Sequence, residues 1–294
     1  MSDCAPFLDA IRATGLNPPP HIKSGRIYRF PGLGKSRTNR AGWCRLSECG
    51  FFGSFGDWSA GFKETWRAHS EPMLPPRQRK KITEKIHRER LAELENKRRL
   101  QHHAALLARD IWSTATTEVP YFPYLIAKGI GQHNAKVYRH TLVLPITDLS
   151  GSITSLQFIA ADGSKRLLAQ GRKHGCFIPV AGRLDTGKTV VICEGWATGC
   201  TLAEHKPGLT VIAGIDAGNL APVALGIKKL YPETRLIIAG DDDRLTTGNP
   251  GVTKAKAAAI ASGALLALPE WPEAAPDHLT DFNDLALFLM GAEL

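Results

Sequence analysis

The chain has 294 residues, enough for two or three domains, and its 43% hydrophobic content excludes a disordered chain. No apolar run approaches ~18 residues, so no membrane span is expected, and no basic-then-apolar leader marks a signal peptide. The net charge of +9 is unevenly spread: residues 1–188 carry 30 Lys and Arg against 15 Asp and Glu, and residues 189–294 carry 7 against 13. A basic body joined to an acidic lobe suits an enzyme that grips a polyanion and holds metal near its backbone.

Residues 1–18 predict a short helix with Phe7, Leu8, Ile11 and Leu16 on one side, stopped by Asn17-Pro-Pro-Pro20. Residues 21–69 read as short strands and turns rich in glycine and aromatics, among them Trp43, Phe51, Phe52, Phe55 and Trp58. Aromatics among basic residues suit a single-strand stacking platform, and equally the core of a small β domain. Cys44 and Cys49 invite a zinc reading, with His21 and His69 as distant candidates. A closed site needs four ligands in paired spacing, so free thiols are the default. The six cysteines (Cys4, Cys44, Cys49, Cys176, Cys193, Cys200) show no disulfide framework, which fits a reducing cytoplasm.

Glu71-Pro-Met-Leu-Pro-Pro76 reads as a linker. Residues 77–110 predict a long charged helix with 10 basic and 4 acidic residues between Arg77 and His103. It suits a solvated connection between domains and a phosphate-tracking arm alike. Residues 111–188 predict a smaller basic α+β segment: a short helix within 121–130 closed by Gly129, then strands at 141–146, 155–159 and 165–168 joined by Asp-Gly-type turns. Gly182-Arg-Leu-Asp-Thr-Gly-Lys-Thr189 matches the P-loop pattern letter for letter. A P-loop must open a helix, and Val190–Cys193 read as a strand, so a nucleotide-binding loop is not expected there.

Residues 189–294 carry the acidic chemistry. Thr189–Cys193 and Leu236–Ala239 are short β-branched runs that read as buried strands of a parallel sheet. The first hands over to Glu194-Gly195 and the second to Gly240-Asp-Asp-Asp243. In open α/β sheets, ligands bind at that C-terminal edge. Clustered carboxylates repel one another, so the set implies a cation, and hard oxygen ligands suit Mg²⁺ or Mn²⁺. Asp241 and Asp243 alternate along an extended segment and are expected to bind metal, while Asp242 points away. Asp281 starts the segment Asp281-Phe-Asn-Asp284, which also reads as a helix N-cap.

Glu194-Gly-Trp-Ala-Thr-Gly199, Asp216-Ala-Gly-Asn-Leu220, Ile238-Ala-Gly-Asp-Asp-Asp243, Asn249-Pro-Gly251 and Asp281-Phe-Asn-Asp284 resemble, in order and spacing, the Toprim domain of DNA primases from conjugative plasmids, integrative elements and phages. The resemblance covers about the last hundred residues. It implies an α/β Toprim domain with a central parallel sheet flanked by helices. Before it come a basic α+β subdomain, a charged linker helix and a small β-rich N-terminal domain. The expected division is 1–76 for a template-binding module, 77–110 for the helix, 111–188 for the basic subdomain and 189–294 for the catalytic domain.

The resemblance implies synthesis of short RNA primers on a single-stranded DNA template from ribonucleoside triphosphates, with a replicative or element-encoded helicase as partner. A metal-dependent nuclease and a non-catalytic binding module are the alternatives. It places Glu194 at the family's catalytic glutamate and implies catalytic roles for Asp241 and Asp243. Asp281 joins these three as a metal ligand. It places Lys165, Arg166, Arg172 and Lys173 over the crevice as nucleotide or template contacts, with Asp242, Asn283 and Asp284. Thr198 stands where the related replicative primases carry an acid, and Asn283 is neutral where they carry another.

Overall fold

A computed structural model describes residues 4–68, 76–119, 121–185 and 187–291, in two compact units, 1–93 and 94–294. The linker expected at 71–76 lies outside the described residues except for Pro76, and so does His69.

The first unit holds α1 (Ala5–Ala13) and four antiparallel strands, β1 (Ile27–Phe30), β2 (Gly42–Leu46), β3 (Phe52–Asp57) and β4 (Phe62–Arg67), in that spatial order. Phe7, Leu8 and Ile11 of α1 pack with Phe30, Cys44, Leu46 and Phe55 on one face of the sheet. Alternation along each strand turns the remaining side chains to the other face. Cys44 is sealed in that core, and burial pushes its thiol up to about 11. Cys49 shares a hydrogen bond with Ser47 Oγ.

The charged helix is α2 (Pro76–Thr114). Within the second unit, Ala108 and Ile111 of the helix's last turns, and Ala115 just past its end, pack with Val143 and Leu156. There α3 (Pro123–Lys128) precedes a four-stranded antiparallel sheet of β5 (Lys136–Tyr138), β6 (Thr141–Thr147), β7 (Ile153–Ile159) and β8 (Lys165–Leu167).

A five-stranded sheet follows, built from β9 (Ile178–Ala181), β10 (Thr189–Cys193), β11 (Thr210–Ala213), β12 (Arg235–Ala239) and β13 (Leu265–Ala267). Its order is β13-β12-β10-β11-β9, parallel except for β9, which runs antiparallel to β11. The helices are α4 (Trp196–His205), α5 (Leu220–Leu230), α6 (Pro250–Ser262) and α7 (Phe282–Leu289). Both faces are covered, as a parallel sheet requires. Val190, Ile192, Ile212, Leu236 and Ile238 pack against α5 and α6. Val191, Cys193, Val211 and Ala213 face the other way, toward α4, α3 and the Leu142, Leu144 and Ile159 face of the antiparallel sheet. The P-loop look-alike leads into β10 and not into a helix, and its Lys188 is exposed, 3.9 Å from Asp185.

Among the described residues no helix is long and apolar enough to cross a membrane.

Candidate active site

β10 pairs with β12 in register, Cys193 opposite Ala239. Their chains therefore leave the sheet side by side and deliver Glu194 and Asp241 to the same edge. Asp241 is the most perturbed acid there. Its Oδ1 is buried and receives no hydrogen bond. Burial pushes its carboxyl up to about 8, and Glu194, Asp281, Asp243 and Asp284 add to the push. Burial likewise raises Glu194, helped by Asp243 and Asp216 and opposed by the Ala217 N–H and by Lys165.

The loop after β12 is built to hold this arrangement. Asn249, left-handed at φ 38°, caps α6 by accepting from Val252 N–H. The same side chain accepts from Asp243 N–H at 2.9 Å and donates to Asp242 Oδ1 at 2.6 Å. Trp271 Nε1 donates to the other Asp242 oxygen at 2.9 Å. Asp242 thus accepts one hydrogen bond from within the protein on each of its oxygens. Gly251 N–H donates to Asp243 Oδ2 at 2.8 Å. A Cβ at Gly251 would lie 2.5 Å from the Asp241 carbonyl oxygen, so this approach requires glycine.

Asp281 is the N-cap of α7, accepting from the N–H groups of Asn283 and Asp284 on one oxygen and from Thr198 Oγ1 at 3.1 Å on the other. The cap and the place in the acidic cluster coexist. Thr198 thus orients Asp281. Asn283 is buried, and its amide donates to Lys128 O at 2.7 Å and Thr201 Oγ1 at 2.9 Å, tying α7 to α3 and α4. Asp284 accepts from Thr280 N–H and lies 3.4 Å from Lys128 Nζ.

The four basic candidates separate. Lys165 sits opposite Ile159, on the face of β8 turned toward the parallel sheet. It keeps solvent access, yet surrounding protein lowers its pKa, Lys128 adds to this, and Asp281, Asp241 and Glu194 oppose it. Its ammonium also lies 5.9 Å from the Tyr124 ring centre. Arg166 sits opposite Phe158, which packs on the α2 side, so strand alternation points it away from the acids. Arg172 donates to Asp148 Oδ2 at 2.7 Å, and Lys173 pairs with Asp216. Sequence reasoning gave Asp216 no role, although its motif was noticed. The signal was an aspartate three residues past the end of β11, the strand beside β10.

Among the described residues no three His, Cys, Asp or Glu side chains already form a closed ligand set. The residues nonetheless fit a hard divalent cation. Asp241 presents a buried, unpartnered oxygen within a group of carboxylates, and Lys165 is the cation that counters them in its electrostatics.

Comparison with known proteins bears on the same region. Residues 189–289 match the Toprim domain family. Over 90% of its length the chain is 31% identical to a DNA primase TraC of Escherichia coli, covering 26% of that protein. A second Escherichia coli DNA primase TraC is 41% identical over half of the chain and 11% of its own length. The chain thus spans about a quarter of one relative and about a tenth of the other. Among solved structures, the DnaG primase catalytic domain bound to ssDNA aligns at 13% identity, covering 67% of this chain and 77% of that one, with a TM-score of 0.44. The primase fragment of the bacteriophage T7 primase-helicase protein aligns at 16% identity over 60% and 75%, with a TM-score of 0.43.

Proposed function

We propose, on the premise that residues 189–289 are a Toprim domain, that this protein is a DNA primase making short RNA primers on single-stranded DNA from ribonucleoside triphosphates. The observation that carries the reading is the unpartnered Asp241 oxygen at the ends of β10 and β12, grouped with Glu194, Asp243 and Asp281 and faced by Lys165. The TraC relatives support it, one of them aligning over 90% of this chain.

Asp241, Asp243 and Glu194 would hold Mg²⁺ or Mn²⁺, with Asp281 beside them. The bound ion supplies Lewis-acid activation of a 3′-hydroxyl and neutralises charge on the leaving pyrophosphate. The chain's own residues do the rest. Asn249 and Gly251 fix the loop that carries Asp241 and Asp243. Thr198 and the α7 N-terminus orient Asp281. Lys165 offers its ammonium to the triphosphate. No side chain caps α4, so the N–H groups of its first turn add a positive end beside Glu194. Template DNA, ribonucleotides and a replicative or element-encoded helicase are the proposed partners, and the cytoplasm the proposed compartment.

Incubation with single-stranded DNA, labelled ribonucleotides and Mg²⁺ or Mn²⁺ tests this. Labelled products that grow with time support a primase. Shortened DNA identifies a nuclease, and neither product identifies a binding module; both outcomes overturn the proposal.

A further inference from the structure

We infer that Asp216 is a built-in competitor for the nucleotide: it holds the Lys173 ammonium beside the carboxylate crevice until a ribonucleoside triphosphate displaces it. The inference rests on the primase reading above for the identity of the displacing anion.

The turn that carries Asp216 is fixed from several sides. Gly214 N–H donates to Cys193 O at 2.7 Å and Ile215 N–H to Glu194 O at 2.9 Å, so the chain leaving β11 runs alongside the chain leaving β10. Ile215 is left-handed at φ 79°, a conformation that strains a β-branched residue and persists only where the surroundings impose it. The residue delivered by this strained turn is Asp216. After burial and Asp243, it is the next group that raises the Glu194 carboxyl.

The loop that carries Lys173, between β8 and β9, is pinned through its backbone. Thr154 Oγ1 donates to Arg172 O at 2.9 Å. Asn219 is buried, with its Nδ2 within 3.0 Å of Lys173 O and within 2.8 Å of both Cys176 O and Gly214 O, while its Oδ1 accepts from Gly175 N–H at 2.8 Å. The Arg172 guanidinium is committed to Asp148. Lys173 alone ends in a loose attachment: it and Asp216 are 48% and 38% exposed in their ion pair. A pair this open to water contributes little, and the loop does not need it as a brace because Asn219 already holds the backbone. A lysine on a flexible stem can therefore change partner with no movement of the main chain. A triphosphate carries more charge than one carboxylate and accepts from the same ammonium, so it wins the exchange.

The test is a double-mutant cycle read by equilibrium binding of labelled GTP to the full chain in Mg²⁺. Asp216→Asn, which removes the competing charge and keeps the shape, should tighten binding about two- to fivefold, the range of an exposed ion pair. Lys173→Ala should weaken it about tenfold, the loss of one charge-assisted hydrogen bond. Added to Lys173→Ala, Asp216→Asn should change nothing further, because no ammonium is left to release. Thermal melting confirms that the variants fold. Unchanged or weaker binding by Asp216→Asn overturns the inference. Equal tightening in both backgrounds also overturns it, since Asp216 would then only repel the nucleotide directly. Either result in a chain that makes primers rejects the competitor alone. The expected cycle in a chain that makes no primers leaves the competitor standing and rejects the primase reading. A wild-type chain that binds no GTP rejects both.

Discussion

Replacing Asp241 by Asn should stabilise the cation-free protein at pH 8. The Asp241 carboxyl is raised from an ordinary 3.8 to about 8, by burial first and by Glu194, Asp281, Asp243 and Asp284 after it. A folded-state pKa above the unfolded one means that the folded chain holds the extra proton. Stability from this group is therefore complete near pH 4 and is lost as pH rises toward about 8. At ~1.36 kcal/mol per unit, the loss reaches roughly 5 kcal/mol as an upper bound. The Asn amide inherits an unpartnered position, which costs ~1–3 kcal/mol at every pH. The variant should be about 1–3 kcal/mol less stable than wild type near pH 4 and about 2–4 kcal/mol more stable at pH 8. Urea unfolding in EDTA at several pH values measures this difference directly. Adding Mg²⁺ at pH 8 should raise the wild-type midpoint and move Asp241→Asn far less. A stability difference independent of pH, or a variant weaker than wild type at pH 8 in EDTA, would refute the idea that this cluster is strained in the absence of a cation.

Three further outcomes follow from the same geometry. Lys165→Ala should lower primer synthesis by about a hundredfold, the cost of removing one preorganised charge donor, while Lys188→Ala leaves the rate and nucleotide KM unchanged; steady-state kinetics of the two variants decide between this placement and a P-loop. Asn283→Ala should cost about 1–3 kcal/mol in urea unfolding, because Lys128 O and Thr201 Oγ1 lose a buried donor. Asn249→Ala should cost ~1–2 kcal/mol by loss of the α6 cap and should weaken Mg²⁺ binding in calorimetry, since the same side chain holds the Asp243 N–H.

The parallel sheet was legible because its strands are short β-branched runs closed by glycine, and because Glu194 and Asp241 follow such runs directly. The charged helix, expected over 77–110, came within a few residues of its observed bounds. β5 and β9 were not legible. Each is only three or four residues long, and β9 is an edge strand held by its partner β11 more than by a pattern of its own. The division of labour between Lys165 and Arg166 was also hidden. Strand alternation separates the two side chains, but only the packing of α2 on Phe158 and of the parallel sheet on Ile159 tells which faces the acids. The aromatics of the first unit show the same limit. Phe55 and Trp58 stand in one motif, yet one is core and the other exposed, and the placement of α1 decides it. Asn283 entered the site through the resemblance alone, and the contacts that bury it lie more than eighty residues away in sequence.

The measurement that bears most directly on the central claim is primer synthesis by Asp241→Asn/Asp243→Asn beside the wild type, with circular dichroism to establish that the fold is kept. The account predicts ribonucleotide incorporation on single-stranded DNA by the wild type in Mg²⁺ or Mn²⁺, and none above background by the folded double variant. Full incorporation by that variant would contradict it, because the two carboxylates at the end of β12 would then not form the catalytic centre.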